Sequence, residues 1–127
     1  MATALELTRT GWASYLAGAR QQPVPKLTPA QAEARERLLD RVRQAAAAIK
    51  GRFGVRRVIL FGSLAHAGWF APDGDVDLAV EGLAGEDYWG AWGLVEEIIG
   101  DKPVDLIEVE TAAEPLRRAI ARHGVDL

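Results

Sequence analysis

Three aspartates and a Gly-Ser pair carry the chemistry that this chain can do. Asp75 and Asp77 stand two apart in Gly-Asp-Val-Asp-Leu-Ala-Val, so on a strand both carboxylates leave the same face. Asp105 stands in a second apolar run, Val104-Asp105-Leu106-Ile107-Glu108-Val109, where an unpaired charge is expensive. If the two runs are neighbours in one sheet, the three carboxylates share a face. They then repel and shift one another's pKa values unless divalent cations bind between them. An all-oxygen donor set with no His or Cys nearby points to Mg²⁺ or Mn²⁺, not zinc. Two such ions, about 3.5–4 Å apart, stabilise both the attacking and leaving oxygens of a phosphoryl-type displacement.

Gly62 and Ser63 supply the complementary half. Glycine lets the backbone approach a phosphate, and a turn with a helix N-terminus behind it presents N–H groups to the anion. The Ser63 hydroxyl adds a donor. A lone Gly-Ser or a lone Asp-x-Asp is frequent in loops. The ordered set of strand, Gly-Ser, turn, Asp-x-Asp strand and a later strand aspartate is far more specific.

The elements that must position these residues can be read in order. Val58-Ile59-Leu60-Phe61 is a continuous apolar run suited to a central strand buried on both faces. Leu64 to Ala67 suits one helical turn, Gly68 to Gly74 a loop, and Asp75 to Val80 a second strand. Before them, Thr28-Pro29-Ala30-Gln31 is a helix start with a capping box. Leu38, Val42, Ala45 or Ala46 and Ile49 follow at helical spacing, predicting a helix over about 29–50 that stops near Gly51 or Gly54. A further helix over 86–99 carries Tyr88 or Trp89, Trp92, Val95 and Ile98 or Ile99, with Trp89 and Trp92 expected in the core. The third strand is 104–109. A last helix over 115–123 puts Leu116, Ala119 and Ile120 inward, with a Thr111/Glu114 capping box or Pro115 at its start and Gly124 as its stop. Residues 1–27 read as a helical arm and connector: 8–22 suggest a short helix with Trp12, Tyr15, Leu16 and Ala19 on one side, an arm packed on the domain or a partner-binding helix, ended by Pro23 and Pro25. The expected order is α-α-β-β-α-β-α, an α/β (α+β) domain over 28–127 behind that arm.

Composition narrows the function further. At 127 residues the chain is one domain with one core. A net charge of −3 offers no basic footprint, so direct nucleic-acid binding is not expected. Arg35, Arg37, Arg41 and Arg43 alternate with Glu33, Glu36 and Asp40 on the first long helix, the pattern of a solvated, salt-bridged face. The absence of cysteine excludes disulfides and thiolate metal sites. No signal-peptide layout or membrane-length apolar run occurs, so the expected address is the cytoplasm.

The stretch LFGSLAHAGWFAPDGDVDLAV resembles the signature of the nucleotidyltransferase superfamily that includes DNA polymerase beta. Within it the chain is most similar to the small minimal nucleotidyltransferases, over about residues 55–109. The resemblance implies a small mixed sheet backed by helices. It also implies Mg²⁺-dependent transfer of a nucleoside monophosphate from a nucleoside triphosphate to a hydroxyl. Asp75 and Asp77 are then metal ligands, Asp105 the third ligand and base for the acceptor, and Gly62 and Ser63 the triphosphate contacts. Small members of the family are paired with HEPN-domain toxins and act as antitoxins, in some systems by attaching AMP from ATP to a tyrosine. A homo- or hetero-oligomer fits this. A small-molecule (aminoglycoside-type) nucleotidyltransferase and a non-catalytic antitoxin that occludes its partner are the rival readings. The expected shortage of a second, substrate-holding domain counts against the former.

The chain departs from the family pattern in the connection. Where the family has Gly-Ser-x-Ala-Arg-Gly, this sequence has Gly62-Ser63-Leu64-Ala65-His66-Ala67. Eleven residues separate Ser63 from Asp75, and Gly74 stands where serine is common. His66 reads either as a polar contact near the phosphates or as a turn residue facing water. His123 reads as a complement to a helix C-terminus. Trp69 and Phe70 could stack on a base, meet a partner or cover the sheet edge, and Asp73-Gly74 is a natural turn pair.

Overall fold

The computed structural model describes residues 27–66 and 74–127. The expected arm, apart from its last residue, lies outside the described residues, as do Trp69, Phe70 and Asp73. Helix α1 (Pro29–Phe53) starts where the sequence places it. The Thr28 hydroxyl accepts from the Gln31 amide at 3.1 Å, and the Gln31 side chain accepts from the Thr28 amide at 3.0 Å. It ends at Gly54, whose φ of 69° closes the last turn in the left-handed conformation. Its buried stripe is Leu38, Leu39, Val42, Ala45, Ala46 and Ile49.

Four strands follow: β1 (Arg57–Phe61), β2 (Val76–Glu81), β3 (Val104–Glu108) and β4 (Val125–Asp126). Their spatial order is β3-β2-β1-β4, with β1 antiparallel to β2 and β4, and β2 parallel to β3. A parallel pair needs a crossover, and helix α2 (Tyr88–Ile99) supplies it. Helix α3 (Glu114–His123) packs on the opposite face.

Strand alternation divides the core in two. Val58, Leu60, Val76, Leu78, Val80, Val104 and Leu106 face α1 and α2 in the larger cluster. Ile59, Phe61 and Ala79 face Leu116, Ala119 and Ile120 of α3 in a smaller one. Each fully buried aliphatic side chain contributes roughly 1.5–3 kcal/mol, so the α1/α2 face holds the fold. Among the described residues the opposite face carries only the smaller cluster, and that is the face Asp77 shares with Ala79, and Asp105 with Ile107.

Several expectations are corrected. Trp89 is not in the core: it is 75% exposed and stacks on half-buried Trp92 with centroids 5.5 Å apart. The inward stripe of α2 is Ala91, Val95 and Ile99, and at about 100° per residue Trp89 falls nearly opposite Ala91. The Thr111/Glu114 capping box does not form; Ala113 is the cap position and Pro115 sits in the first turn of α3. Strand β4 was not expected, because two residues are too short to show a period. The arginine face is not uniformly solvated. Arg43 pairs with Asp40 at 3.0 Å on the surface, but Arg41 reaches the Ile99 carbonyl at 2.8 Å and Arg35 the Leu64 carbonyl at 2.9 Å.

Two glycines test this packing. A methyl at Gly124 would fall on the Ile120 carbonyl and the Ile59 side chain, so Gly124→Ala is expected to destabilise by about 1–3 kcal/mol in urea unfolding. A methyl at Gly93, inside α2, meets nothing, so Gly93→Ala is expected to stabilise by about 0.5–1 kcal/mol in the same assay.

Candidate active site

The parallel register of β2 and β3 sets Asp77 directly across from Asp105. Both side chains are half-buried, and exposed Asp75 immediately precedes β2. On the other side of β2, Phe61 is the register partner of Asp77, and Gly62 follows it. Gly62 has φ 78°, and a methyl there would fall on the Asp77 carboxylate. Glycine is required twice over, by its backbone conformation and by that close approach.

Ser63–Ala65 is a single 3-10 turn, one residue ahead of the helical turn expected from Leu64, whose last expected residue, Ala67, lies outside the described residues. The Ala65 amide closes on the Gly62 carbonyl at 3.2 Å. The amides of Ser63 and Leu64 are therefore the ones the turn can offer to an anion.

Burial and neighbouring charge act on two of the three carboxyls. Burial first, then the charges of Asp105 and Asp75, push the Asp77 carboxyl up to about 8. Burial, then Asp75, raises Asp105. These are the conditions that a divalent cation relieves, since its charge inverts the local balance. Among the described residues, no three His, Cys, Asp or Glu side chains converge closely enough to hold a metal ion. The donor set is nonetheless all carboxylate oxygen, the kind Mg²⁺ takes. To share one ion the three would have to draw together.

Tyr88 lies within the same field and was not singled out for it. Its hydroxyl donates to the Leu106 carbonyl of edge strand β3 at 2.5 Å. Burial, then the charges of Asp105 and Glu108, push it up to about 12, so it stays a neutral donor. His66 is not a turn residue facing water: it is half-buried, and its Nε2 meets the His123 carbonyl at 2.8 Å. The His123 ring, edge-on to His66 at 6.3 Å, has its pKa lowered by burial and then by His66 and Arg122. A lowered pKa favours the neutral ring, which weakens the expected complement to the helix end.

A solved structure assigned as a minimal nucleotidyltransferase matches this chain at 30% identity with a TM-score of 0.59, over 70% of this chain and 92% of that one. This chain belongs to the minimal nucleotidyltransferase family. Its four-stranded mixed sheet with helices on both faces is the nucleotidyltransferase fold. A chain from a mutant of the MntA–HpeT toxin–antitoxin complex matches at 17% identity and TM-score 0.49, over 72% of this chain and 70% of that one. A chain from the complex of tri-AMPylated Shewanella oneidensis HEPN toxin with MNT antitoxin matches at 19% identity and TM-score 0.45, over 76% and 70%. Those two likenesses are too slight to carry an argument. No family model matches the chain, and no curated protein does.

Arg35 belongs to this neighbourhood as well, although its charge alone marks a solvated face. A signal existed: Arg35 continues the spacing of Leu38, Val42 and Ile49 one turn toward the N-terminus, which aims it inward.

The raised Asp77 pKa makes a stability prediction for the minimal nucleotidyltransferase. The folded state keeps the Asp77 proton while the unfolded chain, near 3.8, releases it. Without divalent cations, stability is therefore full below the unfolded pKa and falls as pH rises from about 4 to about 8. Asp77→Asn is expected to flatten that slope and gain at least about 1 kcal/mol at the alkaline end. Urea unfolding in a chelator across this range checks it.

Proposed function

We propose that this minimal nucleotidyltransferase transfers AMP from ATP to a tyrosine hydroxyl of a HEPN-domain toxin, with Mg²⁺, and thereby acts as its antitoxin in the cytoplasm. The observation that carries the reading is the pairing of Asp77 with Asp105 at one level of a parallel strand pair, with Gly62 against Asp77. The family supports nucleotidyl transfer. The HEPN acceptor and the choice of AMP come from the resemblance carried by Gly62, Ser63, Asp75, Asp77 and Asp105.

In this reading Asp75, Asp77 and Asp105 would hold the cation, with Mn²⁺ as an alternative to Mg²⁺. When bound, Mg²⁺ supplies stabilisation of charge on the attacking and leaving oxygens. Gly62, Ser63 and the free amides of the turn bind the triphosphate. Asp105, its carboxyl raised by burial and then by the charge of Asp75, accepts the proton of the acceptor hydroxyl. The acceptor oxygen forms a bond to the α-phosphorus as the bond from that phosphorus to its bridging oxygen breaks, and pyrophosphate leaves.

Incubation with ATP, Mg²⁺ and a HEPN-domain partner is expected to add an AMP-sized increment to the partner by intact mass spectrometry. Asp75→Asn or Asp77→Asn is expected to reduce the rate by at least about 10³-fold, the loss of several kcal/mol of charge stabilisation. A tight complex with no increment would replace this reading with occlusion. An increment only on a small hydroxylated compound would favour the aminoglycoside-type activity.

A further inference from the structure

The turn after β1 is held from behind by an arginine of α1. Arg35 shares the stripe of Leu38 and Val42, so the helix that builds the core also carries a guanidinium toward it. Its side chain is only 15% exposed, and the Glu36 carboxylate stands 4.0 Å from Nη1, at the limit of an ion pair. Nη2 donates to the Leu64 carbonyl at 2.9 Å. Nε is buried and finds no partner among the described residues.

Packing alone does not explain that choice, since a methionine would fill the stripe without burying a charge. What the guanidinium does is fasten the turn. The Leu64–Ala65 peptide is held at both polar ends, its carbonyl by Arg35 and its N–H by the Gly62 carbonyl at 3.2 Å. The same turn begins with Gly62 lying against Asp77. A planar, permanently charged fork fixes the direction of such a bond in a way that a flexible ammonium does not.

We infer that Arg35 is a positioning residue of the nucleotide site: from α1 it locks the Gly62–Ala65 turn in the conformation that meets the triphosphate and keeps Gly62 against Asp77. This rests on the nucleotidyl-transfer reading of the site. It acts through the turn and touches none of the reacting groups itself.

The test compares the wild type with Arg35→Met in two readouts. One is hydrogen exchange of the Ala65 amide by NMR, which requires no activity. The other is calorimetric binding of a non-hydrolysable ATP analogue with Mg²⁺, together with KM and kcat for transfer. Arg35→Met is expected to speed Ala65 exchange at least about tenfold while the β2 amides keep their protection. Analogue Kd and KM for ATP are expected to rise about tenfold, the scale of one lost charged hydrogen bond, with a smaller fall in kcat. A core control, Val95→Ala, is expected to lower the thermal midpoint with no change in Kd. Arg35→Gln carries the same test, with the same expected direction, where Arg35→Met does not fold. Unchanged Ala65 exchange, or unchanged Kd beside normal wild-type binding, overturns the inference and leaves the function standing. A wild type that binds no analogue overturns both.

Discussion

The burial of two facing carboxyl groups, with neighbouring charge adding to its cost, is the constraint around which this fold is arranged. Asp77 and Asp105 stand opposite each other on neighbouring parallel strands, at a spacing that only strand pairing imposes. Each is raised by burial, and the charges of Asp105 and Asp75 raise Asp77 further. Such a pair destabilises a folded state that is itself only marginally stable. It persists because the opposite face of the same strands is packed without interruption. Val76, Leu78 and Val80 on β2, and Val104 and Leu106 on β3, are buried beneath α1 and α2. The two faces of one strand pair therefore do different work, one holding the sheet and the other holding charge.

That division explains the connectivity. A parallel pair cannot be joined by a hairpin, so the chain leaves β2, forms α2 and returns to begin β3 at the same end. The start of each strand therefore lies at one end of the sheet, and both aspartates sit at strand starts. β1 runs the other way and delivers its last residue, Phe61, and the Gly62 that follows it, to that same end. The Gly62–Ala65 turn and the carboxylates meet because antiparallel β1 ends where parallel β2 and β3 begin. Helix α1 then reaches across the larger core to hold the turn through Arg35.

Much of this was legible in the residues. The capping box at Thr28 and Gln31, the buried Val58–Phe61 strand and the terminating glycines are local features, and local chemistry decides them. The spacing of Asp75 and Asp77 needed only the strand period. The errors share one cause. Spacing to Trp92 predicts Trp89 inward, but the larger stripe of Ala91, Val95 and Ile99 sets the helix rotation. Arg35 was read by its charge, yet its position on a buried stripe outweighed its residue type. β4 was too short to have a pattern, and it exists only because β1 offers a free edge.

The sequence by itself determined the candidate chemistry: which residues could be carboxylate ligands, which turn could take a phosphate, and which segments are helix or strand. These follow from residue type and from the two short periods of backbone geometry, both of which act over a few positions. Only the tertiary structure decided that Asp105 faces Asp77, that Gly62 lies on that carboxylate, and that Arg35 anchors the turn. Each joins residues between 15 and 29 positions apart in the chain. No local period encodes such contacts, because strand order, register and the packing of one helix across a shared core create them.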